Sequence, residues 1–410
     1  MRILFVCHRF PFPPNRGGKI RPFNIIRHLN TNHEVTVASL VRSEKESDQG
    51  AGLADYCCRA VQARVNEGVQ SIRTMGRLFT NSPSSMGYFH SPYLARRIRQ
   101  LLQDTSYDLI FVHCSSVAPY VAEVRNIPKI LDFGDMDSQK WLQLAQFRPF
   151  PFNLGYLLEG RKLMAWEMRL ARQFTFCTTT TRIEEATLDS YQTGAQTDCV
   201  PNGVDAEYFA PTDEPYDDHT ISFVGRMDYY PNRQCMVSFC RSVWPLLRER
   251  IPGIKLAIIG AEPAREIRRL AQLPGVTVTG SVPDVRPLAR RSAAMVAPLE
   301  IARGTQNKIL ESLAMGVPVV CSRLALRGVN AHEGEAVLVA DTPEEYVEAL
   351  TMLLSNRERR SALAAAGRAE VLEHHNWPAS MRHMDQIIER CLALQSPHSP
   401  VRSLATPNMR

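Results

Sequence analysis

The chain has 410 residues, of which 44% are hydrophobic and 22% charged, enough for two domains of ordinary size. It has no run of about 20 apolar residues that would span a membrane, and its ten cysteines form no Cys-x-x-Cys pairs, so neither a zinc site nor a disulfide framework is indicated. The net charge of +6 favours an anionic partner, but basic residues are not interleaved with aromatic ones, so we expect no nucleic-acid binding.

The first half of the chain predicts alternating strands and helices. Short apolar runs at 2–7, 33–40, 108–112 and 129–133 predict strands, and residues 20–29 have helical spacing. The first run is too short for the core of a signal peptide, so we expect a cytoplasmic protein. Strands that alternate with helices predict a parallel sheet covered by helices on both faces.

A turn-rich stretch at 201–218 separates this half from a second series of the same kind. The sequence therefore predicts two Rossmann-like, doubly wound α/β domains in tandem. The predicted strands of the second series are 220–224, 255–259, 276–278, 294–297 and 317–321. Its predicted helices are 232–250, 263–272, 283–291 and 306–315. The predicted segments are a first domain at 1–200, the linker at 201–218, a second domain at 219–376, a last helix at 377–395 that crosses back to the first domain, and a disordered tail at 396–410.

Several loops follow predicted strands, where open parallel sheets bind ligands. Gly17 and Gly18 come between the first strand and the first helix, either as a tight turn or as a place where backbone approaches a ligand. Arg226 ends the first strand of the second domain, and its guanidinium would grip a diphosphate. Gly280 and Val282 lie in a loop that would meet a nucleotide base, although its polar residues also suit helix capping.

The most informative segment is 298–320, which predicts strand, glycine turn, helix, glycine stop and strand in succession. Free N–H groups at the start of its helix would hold phosphate, Lys308 would add a positive charge, and Glu311 would accept hydrogen bonds from ribose hydroxyls. The predicted donor-binding residues of this segment are Arg303, Gly304, Thr305, Gln306, Asn307, Lys308 and Glu311.

These residues resemble the retaining, nucleotide-sugar-dependent glycosyltransferases of the GT-B fold, family four, and in particular the sugar transferases associated with PEP-CTERM sorting and exopolysaccharide loci. The resemblance extends from Gly17 and Gly18 to Trp377, and its most specific parts are the Asn-Gly-Val-Asp sequence at 202–205 and the block 304–320. It implies a deep cleft between the domains and a nucleotide-sugar donor. The acceptor would be a glycan or a lipid-linked molecule.

The resemblance also implies roles for single residues. Arg226 and Lys308 would hold the donor diphosphate, Glu311 the ribose, and the loop at 280–282 the base. His113 matches a histidine that the family places near the transferred sugar, and His113 or Asp135 would orient the acceptor hydroxyl. Asp135 belongs to a cluster of aspartates at 132–137, but helix dipoles and basic residues neutralise the diphosphate in this fold, so no metal or other cofactor is expected.

Two departures from the family are visible in the sequence. The family commonly has two glutamates seven residues apart, and where the first should stand this chain has Arg303, with Glu300 three residues too early to replace it simply. The lysine that usually follows Arg226 within a few residues is also missing. We expect Lys308 or Arg303 to supply its charge.

A basic amphipathic stretch at 155–174 allows two interpretations. It either packs against the first sheet or makes a peripheral contact at the inner face of a membrane. The resemblance implies a sugar transfer reaction, and it alone places this reaction in exopolysaccharide or cell-surface glycan assembly. The alternatives are a nucleotide-sugar epimerase of the same fold and a nucleotide-sugar-binding subunit without catalysis.

Overall fold

The computed structural model describes residues 1–15, 17–77 and 80–395 of the chain. The predicted tail at 396–410 lies outside these residues. In the described part, two parallel sheets of seven and six strands each carry helices, and the predicted α/β class with two doubly wound domains is confirmed.

The first sheet has the strand order β3-β2-β1-β4-β5-β6-β7. Its strands are β1 (Arg2–Cys7), β2 (Glu34–Val41), β3 (Arg59–Arg64), β4 (Leu109–His113), β5 (Lys129–Gly134), β6 (Phe176–Thr179) and β7 (Gln196–Cys199). Its helices are α1 (Gly17–Leu29), α2 (Glu44–Asp48), α3 (Glu67–Gly76), α4 (Ser85–Tyr88), α5 (Pro92–Asp104), α6 (Asp137–Gln146), α7 (Phe152–Ala171) and α8 (Arg182–Ser190).

The central strands of this sheet are apolar along their whole length because both faces are covered. In β1, Ile3 and Phe5 point into one core, and Leu4 and Val6 into the core on the opposite face. This two-sided burial explains why β1 and β4 form continuous apolar runs in the sequence and lack alternation.

The second sheet repeats the arrangement, with the order β10-β9-β8-β11-β12-β13. Its strands are β8 (Asp217–Val224), β9 (Lys255–Ile259), β10 (Val276–Val278), β11 (Ser292–Ala297), β12 (Val319–Cys321) and β13 (Leu338–Val339). The helices that follow β8 are α9 (Tyr230–Ser242), α10 (Trp244–Arg250), α11 (Arg265–Leu270), α12 (Arg286–Arg290), α13 (Asn307–Ala314), α14 (Arg323–Leu326), α15 (Pro343–Ser355), α16 (Arg357–His374) and α17 (Trp377–Gln395).

The single helix predicted at 232–250 is wrong, because the structure has α9 and α10 with a break at Val243. Pro245 causes the break. It has no N–H to donate, and its ring would clash with the carbonyl four residues earlier in a continuous helix.

The chain crosses between the two sheets twice. The first crossing is the segment between Cys199 and Asp217, so β8 begins inside the predicted linker. The second crossing leads into α17, which packs Met384, Ile388 and other apolar residues against the first sheet. The two crossings touch, since a Cβ added at Gly203 would lie 2.5 Å from the backbone nitrogen of Trp377.

Among the described residues, none of the helices combines the length and the apolar character that a membrane crossing requires.

Candidate functional site

The candidate site lies where the strand order of each sheet reverses. In the first sheet this point is between β1 and β4, whose carboxyl ends carry His8 and His113. In the second sheet it is between β8 and β11, followed by Arg226 and by the loop that leads to α13. Such reversal points are the usual ligand sites of doubly wound sheets.

His113 is held by a buried carboxylate that the sequence analysis did not assign. Its Nδ1 lies 2.7 Å from Oδ2 of Asp132, which also accepts bonds of 2.8 Å from Nε and Nη2 of Arg21 and one of 2.9 Å from Thr178. Burial alone would raise the pKa of Asp132, but Arg21 and the hydrogen bonds from Arg21 and His113 hold it well below its usual range. Because an ionised carboxylate only accepts, His113 carries its proton on Nδ1 and keeps Nε2 for another partner.

The same network reaches the interdomain linker. Nη1 of Arg21 donates to the carbonyl of Val200 at 2.7 Å and to Oδ1 of Asn202 at 3.0 Å. His375, next to the second crossing, donates from Nδ1 to the carbonyl of Asn202 at 3.1 Å and accepts the N–H of Asn330 at 3.0 Å on Nε2. Hydrogen bonds therefore connect His113 with both chain crossings.

His8 lies beside His113, with their ring centroids 5.7 Å apart. Burial, followed by the charges of His113 and Arg9, places the pKa of His8 well below its usual value, so its imidazole is neutral. Arg9 lies next to it, with Nε 3.2 Å from Nε2 of His8.

Asp135, predicted to orient the acceptor, lies across the cleft from the donor loop. Its Oδ1 accepts a 2.7 Å bond from Thr180, and its carboxylate fills the place that a side chain at Gly304 would occupy. Gly304 has a φ of +60°, a backbone conformation that suits glycine. In this structure the close approach that Gly304 permits is therefore made by Asp135.

Two charged residues of α6 complete this side of the cleft, and the sequence analysis assigned neither of them a role. Burial, together with the charge of Asp135, raises the pKa of Asp137. Lys140 lies 5.8 Å from the ring centroid of Tyr229 in the second domain. Burial lowers the pKa of Lys140, but Tyr229, Asp137 and Asp135 outweigh this effect and raise it.

Arg303 forms an ion pair between the domains. Its Nε lies 2.9 Å from Oε1 of Glu184, and its Nη2 donates to Oε2 at 3.0 Å. Glu184 belongs to α8 of the first domain, is almost wholly buried, and also accepts the N–H of Met136. Thus the residue that replaces the first glutamate of the family binds a glutamate of the other domain. Glu300 is exposed.

The N-terminus of α13 has polar groups without partners. Among the described residues, Oγ1 of Thr305 and Oδ1 of Asn307 are buried and have no hydrogen-bond partner. Gln306 precedes the helix but its side chain does not cap it, since its amide donates to the carbonyls of Arg303 and Gly304. The first N–H groups of a helix have no acceptor within the helix, so this end presents donors to a ligand.

Lys308 and Glu311 lie one turn apart on α13, and the charged groups of both side chains are largely shielded from water. Nζ of Lys308 donates to Oδ1 of Asn232 at 2.6 Å and lies 4.7 Å from the ring centroid of Phe223. Burial lowers the pKa of Lys308 to about 8 and raises that of Glu311 to about 7, with each charge partly opposing the shift of the other. Both groups thus titrate near neutral pH.

Arg226 is already paired in this structure. Its guanidinium donates to both carboxylate oxygens of Asp228, at 3.1 and 2.9 Å, and also to Glu262. These contacts hold it at the carboxyl end of β8. A diphosphate would have to share Arg226 with two carboxylates or take their place.

Gly17 and Gly18, which the structure places at the start of α1, lie near the start of α13 and near Arg9. A Cβ added at Gly17 would lie 3.7 Å from Nδ2 of Asn307, and one added at Gly18 would lie 3.3 Å from Cδ of Arg9. The loop with Gly280 and Val282 follows β10, and Gly280 has a φ of +70°. The structure thus brings Gly17 opposite the predicted phosphate-binding residues.

Within the described part of the chain, no group of three or more histidine, cysteine, aspartate or glutamate side chains is arranged to hold a metal ion.

The second domain matches a known sequence family. Residues 218–356 fit the model of the glycosyl transferases group 1. The GDP-mannose-dependent alpha-(1-6)-phosphatidylinositol monomannoside mannosyltransferase of Mycobacterium tuberculosis is 27% identical over 226 residues, which are 50% of this chain and 58% of that protein. The chain spans 39% of the length of one curated relative and 58% of the length of this mannosyltransferase. Residues 218–356 are therefore similar to the glycosyl transferases group 1.

Solved structures share the fold over nearly the whole chain. Sucrose-phosphate synthase from Thermosynechococcus elongatus has a TM-score of 0.70 at 15% identity and covers 96% of this chain and 100% of its own. Anabaena HepE in complex with UDP has a TM-score of 0.65 at 13% identity and covers 95% and 100%. The two-domain GT-B architecture is thereby confirmed.

Proposed function

We infer that the chain is a glycosyltransferase that moves a sugar from a nucleotide-diphosphate-sugar donor to a glycan or lipid-linked acceptor. The observation that carries this inference is the start of α13, where buried atoms of Thr305 and Asn307 have no hydrogen-bond partner among the described residues and Gly17 of the first domain lies opposite Asn307. Lys308 and Glu311 follow on the same helix. The family match of residues 218–356 includes this helix, and a relative named for its use of GDP-mannose supports a nucleotide-sugar donor.

The donor diphosphate is bound mainly by α13. Its free N–H groups and the ammonium of Lys308 stabilise the negative charge that grows on the leaving phosphate. Glu311 accepts hydrogen bonds from the ribose, and the loop at 280–282 lies against the base. Arg226 joins the diphosphate by exchanging Asp228 and Glu262 for phosphate oxygens.

Transfer proceeds with retention. The acceptor hydroxyl oxygen forms a bond to the anomeric carbon while the bond from that carbon to the diphosphate oxygen breaks, and this oxygen takes the hydroxyl proton. His113, with Nδ1 fixed by Asp132, offers Nε2 to a sugar hydroxyl. Asp135 lies where it orients the acceptor, and no step requires a metal ion.

The wider role rests on the resemblance to PEP-CTERM-associated sugar transferases of bacteria, which favours exopolysaccharide or cell-surface glycan assembly. All ten cysteines are free thiols, which supports a reducing, cytoplasmic location. The sugar is expected to be a hexose.

A donor screen followed by a transfer assay tests the proposal. A bound donor at 100 times its Kd should stabilise the protein by about 2.7 kcal/mol, so thermal shifts with uridine, guanosine and adenosine diphosphate sugars should reveal the nucleotide. The preferred donor should then lose its sugar to an acceptor from a glycolipid extract. Conversion of the donor sugar without acceptor would instead show an epimerase, and tight binding without any reaction would show a non-catalytic subunit.

Matched variants assign the effect to the proposed site. Lys308→Met should abolish the thermal shift, whereas Lys255→Met, at an exposed lysine of β9 in the same domain, should keep it. Equal shifts in both variants would contradict the placement of the diphosphate at α13.

A further inference from the structure

The hairpin of α6 and α7 has an exposed apolar end. Four large apolar side chains gather between its loop and the first turns of α7. Phe150 is 77% exposed, Phe152 70%, Leu154 52% and Leu158 51%. Single exposed apolar residues are common on protein surfaces, but a group of this kind marks a contact with another apolar phase.

The exposed residues continue as one face of α7. At 100° per residue, Leu154, Leu158, Arg161, Ala165 and Arg169 fall within an arc of about 80°, and all five are exposed. The opposite face packs on the first sheet and α6 through buried residues that include Leu163 and Leu170. The packing therefore leaves a face that is apolar at its N-terminal end and basic further along.

The exposed charges of α7 are all positive because its acidic residues point inward. Glu159 is buried and accepts the N–H groups of Ser84 and Ser85 at 2.9 and 2.8 Å. Glu167 is buried and accepts from the N–H and the hydroxyl of Ser138. Arg161 and Arg169 are exposed, so the face presents cations without neighbouring anions on its own helix.

The hairpin leads directly from the candidate site to this end. Helix α6 starts at Asp137 in the cleft, and its 10 residues correspond to about 15 Å. Near the loop, the guanidinium of Arg148 lies 4.2 Å from the ring centroid of Tyr230 in the second domain. The apolar end thus lies beside the mouth of the cleft.

We propose that this hairpin binds the protein to an anionic membrane surface, with Phe150, Phe152, Leu154 and Leu158 in the outer part of the apolar layer and Arg161 and Arg169 against lipid phosphates. An apolar end followed by a purely basic face fits a phase that is apolar inside and anionic at its surface. The purpose of the contact rests on the proposed function, because it brings a lipid-linked acceptor towards Asp135, which lies two residues before α6.

Vesicle sedimentation of the full chain tests this proposal. The protein should sediment with vesicles of phosphatidylcholine and phosphatidylglycerol in equal parts and much less with phosphatidylcholine alone. The double variant Phe150→Ser, Phe152→Ser should weaken binding at least about tenfold, since it removes the two most exposed apolar groups. The double variant Arg161→Glu, Arg169→Glu should weaken binding to the anionic vesicles and reduce its dependence on salt.

Two control variants match these changes elsewhere on the surface. Leu372→Ser removes an apolar side chain that is 46% exposed, and Arg241→Glu reverses an exposed charge on α9. Both should sediment like the unchanged protein. The proposal is overturned if neither kind of vesicle binds, if the controls lose as much binding as the hairpin variants, or if the hairpin variants abolish a dimer while vesicle binding stays the same.

The two proposals fail separately. The thermal shift with donor does not involve the hairpin, so loss of vesicle binding with an intact donor shift overturns the membrane contact alone. Binding to vesicles without any donor shift overturns the proposed function alone.

Discussion

The Asp132 network of the first domain and the start of α13 in the second domain differ in how completely their polar groups are paired. On the first domain, Asp132 has partners for both carboxylate oxygens, and Arg21 is bound to Asp132 and to the linker. On the second domain, Thr305 and Asn307 have buried atoms without partners among the described residues. A fully paired network holds a side chain in place before any ligand arrives, whereas unpaired buried groups gain most when a ligand binds.

This contrast suggests different roles for the two domains. The first domain positions His113, and removal of a partner there should mainly cost stability. In the proposed function the second domain binds the donor diphosphate, so removal of a group there should mainly cost affinity for the donor.

Asp132→Asn should lower the free energy of unfolding by about 3–5 kcal/mol, since it leaves the buried guanidinium of Arg21 without a counter-charge. Urea denaturation measures the loss. Thr178→Val is the matched control, because it removes one neutral donor to the same carboxylate and should cost only about 1 kcal/mol. Equal losses in the two variants would show that the ion pair does not hold this network together.

Lys308→Met should weaken donor binding about 100-fold, or about 2.7 kcal/mol, with little change in the free energy of unfolding. The replacement removes the positive charge beside the free N–H groups of α13 but keeps an apolar side chain against Phe223. Calorimetric titration with the preferred donor gives the affinity. A loss of stability with unchanged affinity would reverse the division of work between the domains.

The sequence predicted local structure well where one element depends on its own residues. The strands at 255–259 and 276–278 have the predicted limits, because apolar runs there are bounded by Gly and Pro. The strands β3, β6, β7 and β13 were missed, and β6 and β7 show why. They have four residues each and contain Thr, Gln and Asp, so they lack the apolar signal of their neighbours.

Pairs between distant residues were beyond reach of a single sequence. Arg21 and Asp132 are 111 residues apart, and Glu184 and Arg303 are 119 apart. In the sequence, each of these four side chains is typical of an exposed charge. Only the packing of α1 brings Arg21 to Asp132, and only the packing of α8 brings Glu184 to Arg303. The sequence did place the candidate loops at the carboxyl edges of the two sheets, since loops that follow parallel strands lie at one edge of a doubly wound sheet.

Arg303→Glu should destabilise the protein by about 2 kcal/mol, because it replaces an ion pair between the domains by two facing carboxylates. The exchange of both charges, Arg303→Glu with Glu184→Arg, should restore part of the loss. Thermal unfolding and donor titration are measured on each variant. If Arg303 instead contacts the donor, affinity will fall in the single and the double variant alike, whatever the recovery in stability.

The smallest effect is the dependence of donor affinity on pH. In its proposed role Glu311 accepts hydrogen bonds from ribose hydroxyls best when ionised, which its pKa of about 7 favours only above that pH. Lys308 loses its charge above its pKa of about 8. Donor affinity should therefore be highest between pH 7 and 8. Further from this range on either side, it should decrease by an amount that approaches about tenfold, or 1.4 kcal/mol, per pH unit. Calorimetric titrations with the donor from pH 5.5 to 9.5 measure the acid limb and the basic limb of this affinity–pH profile.

Two variants assign these limbs to their groups. Glu311→Gln should remove the acid limb and keep the basic one. Lys308→Met should remove the basic limb and move the acid limb to higher pH, because the positive charge of Lys308 lowers the pKa of Glu311. An acid limb that stays in place in Lys308→Met would mean that the two groups are not coupled, and the second domain would then respond to the donor through separate charges instead of one titrating pair.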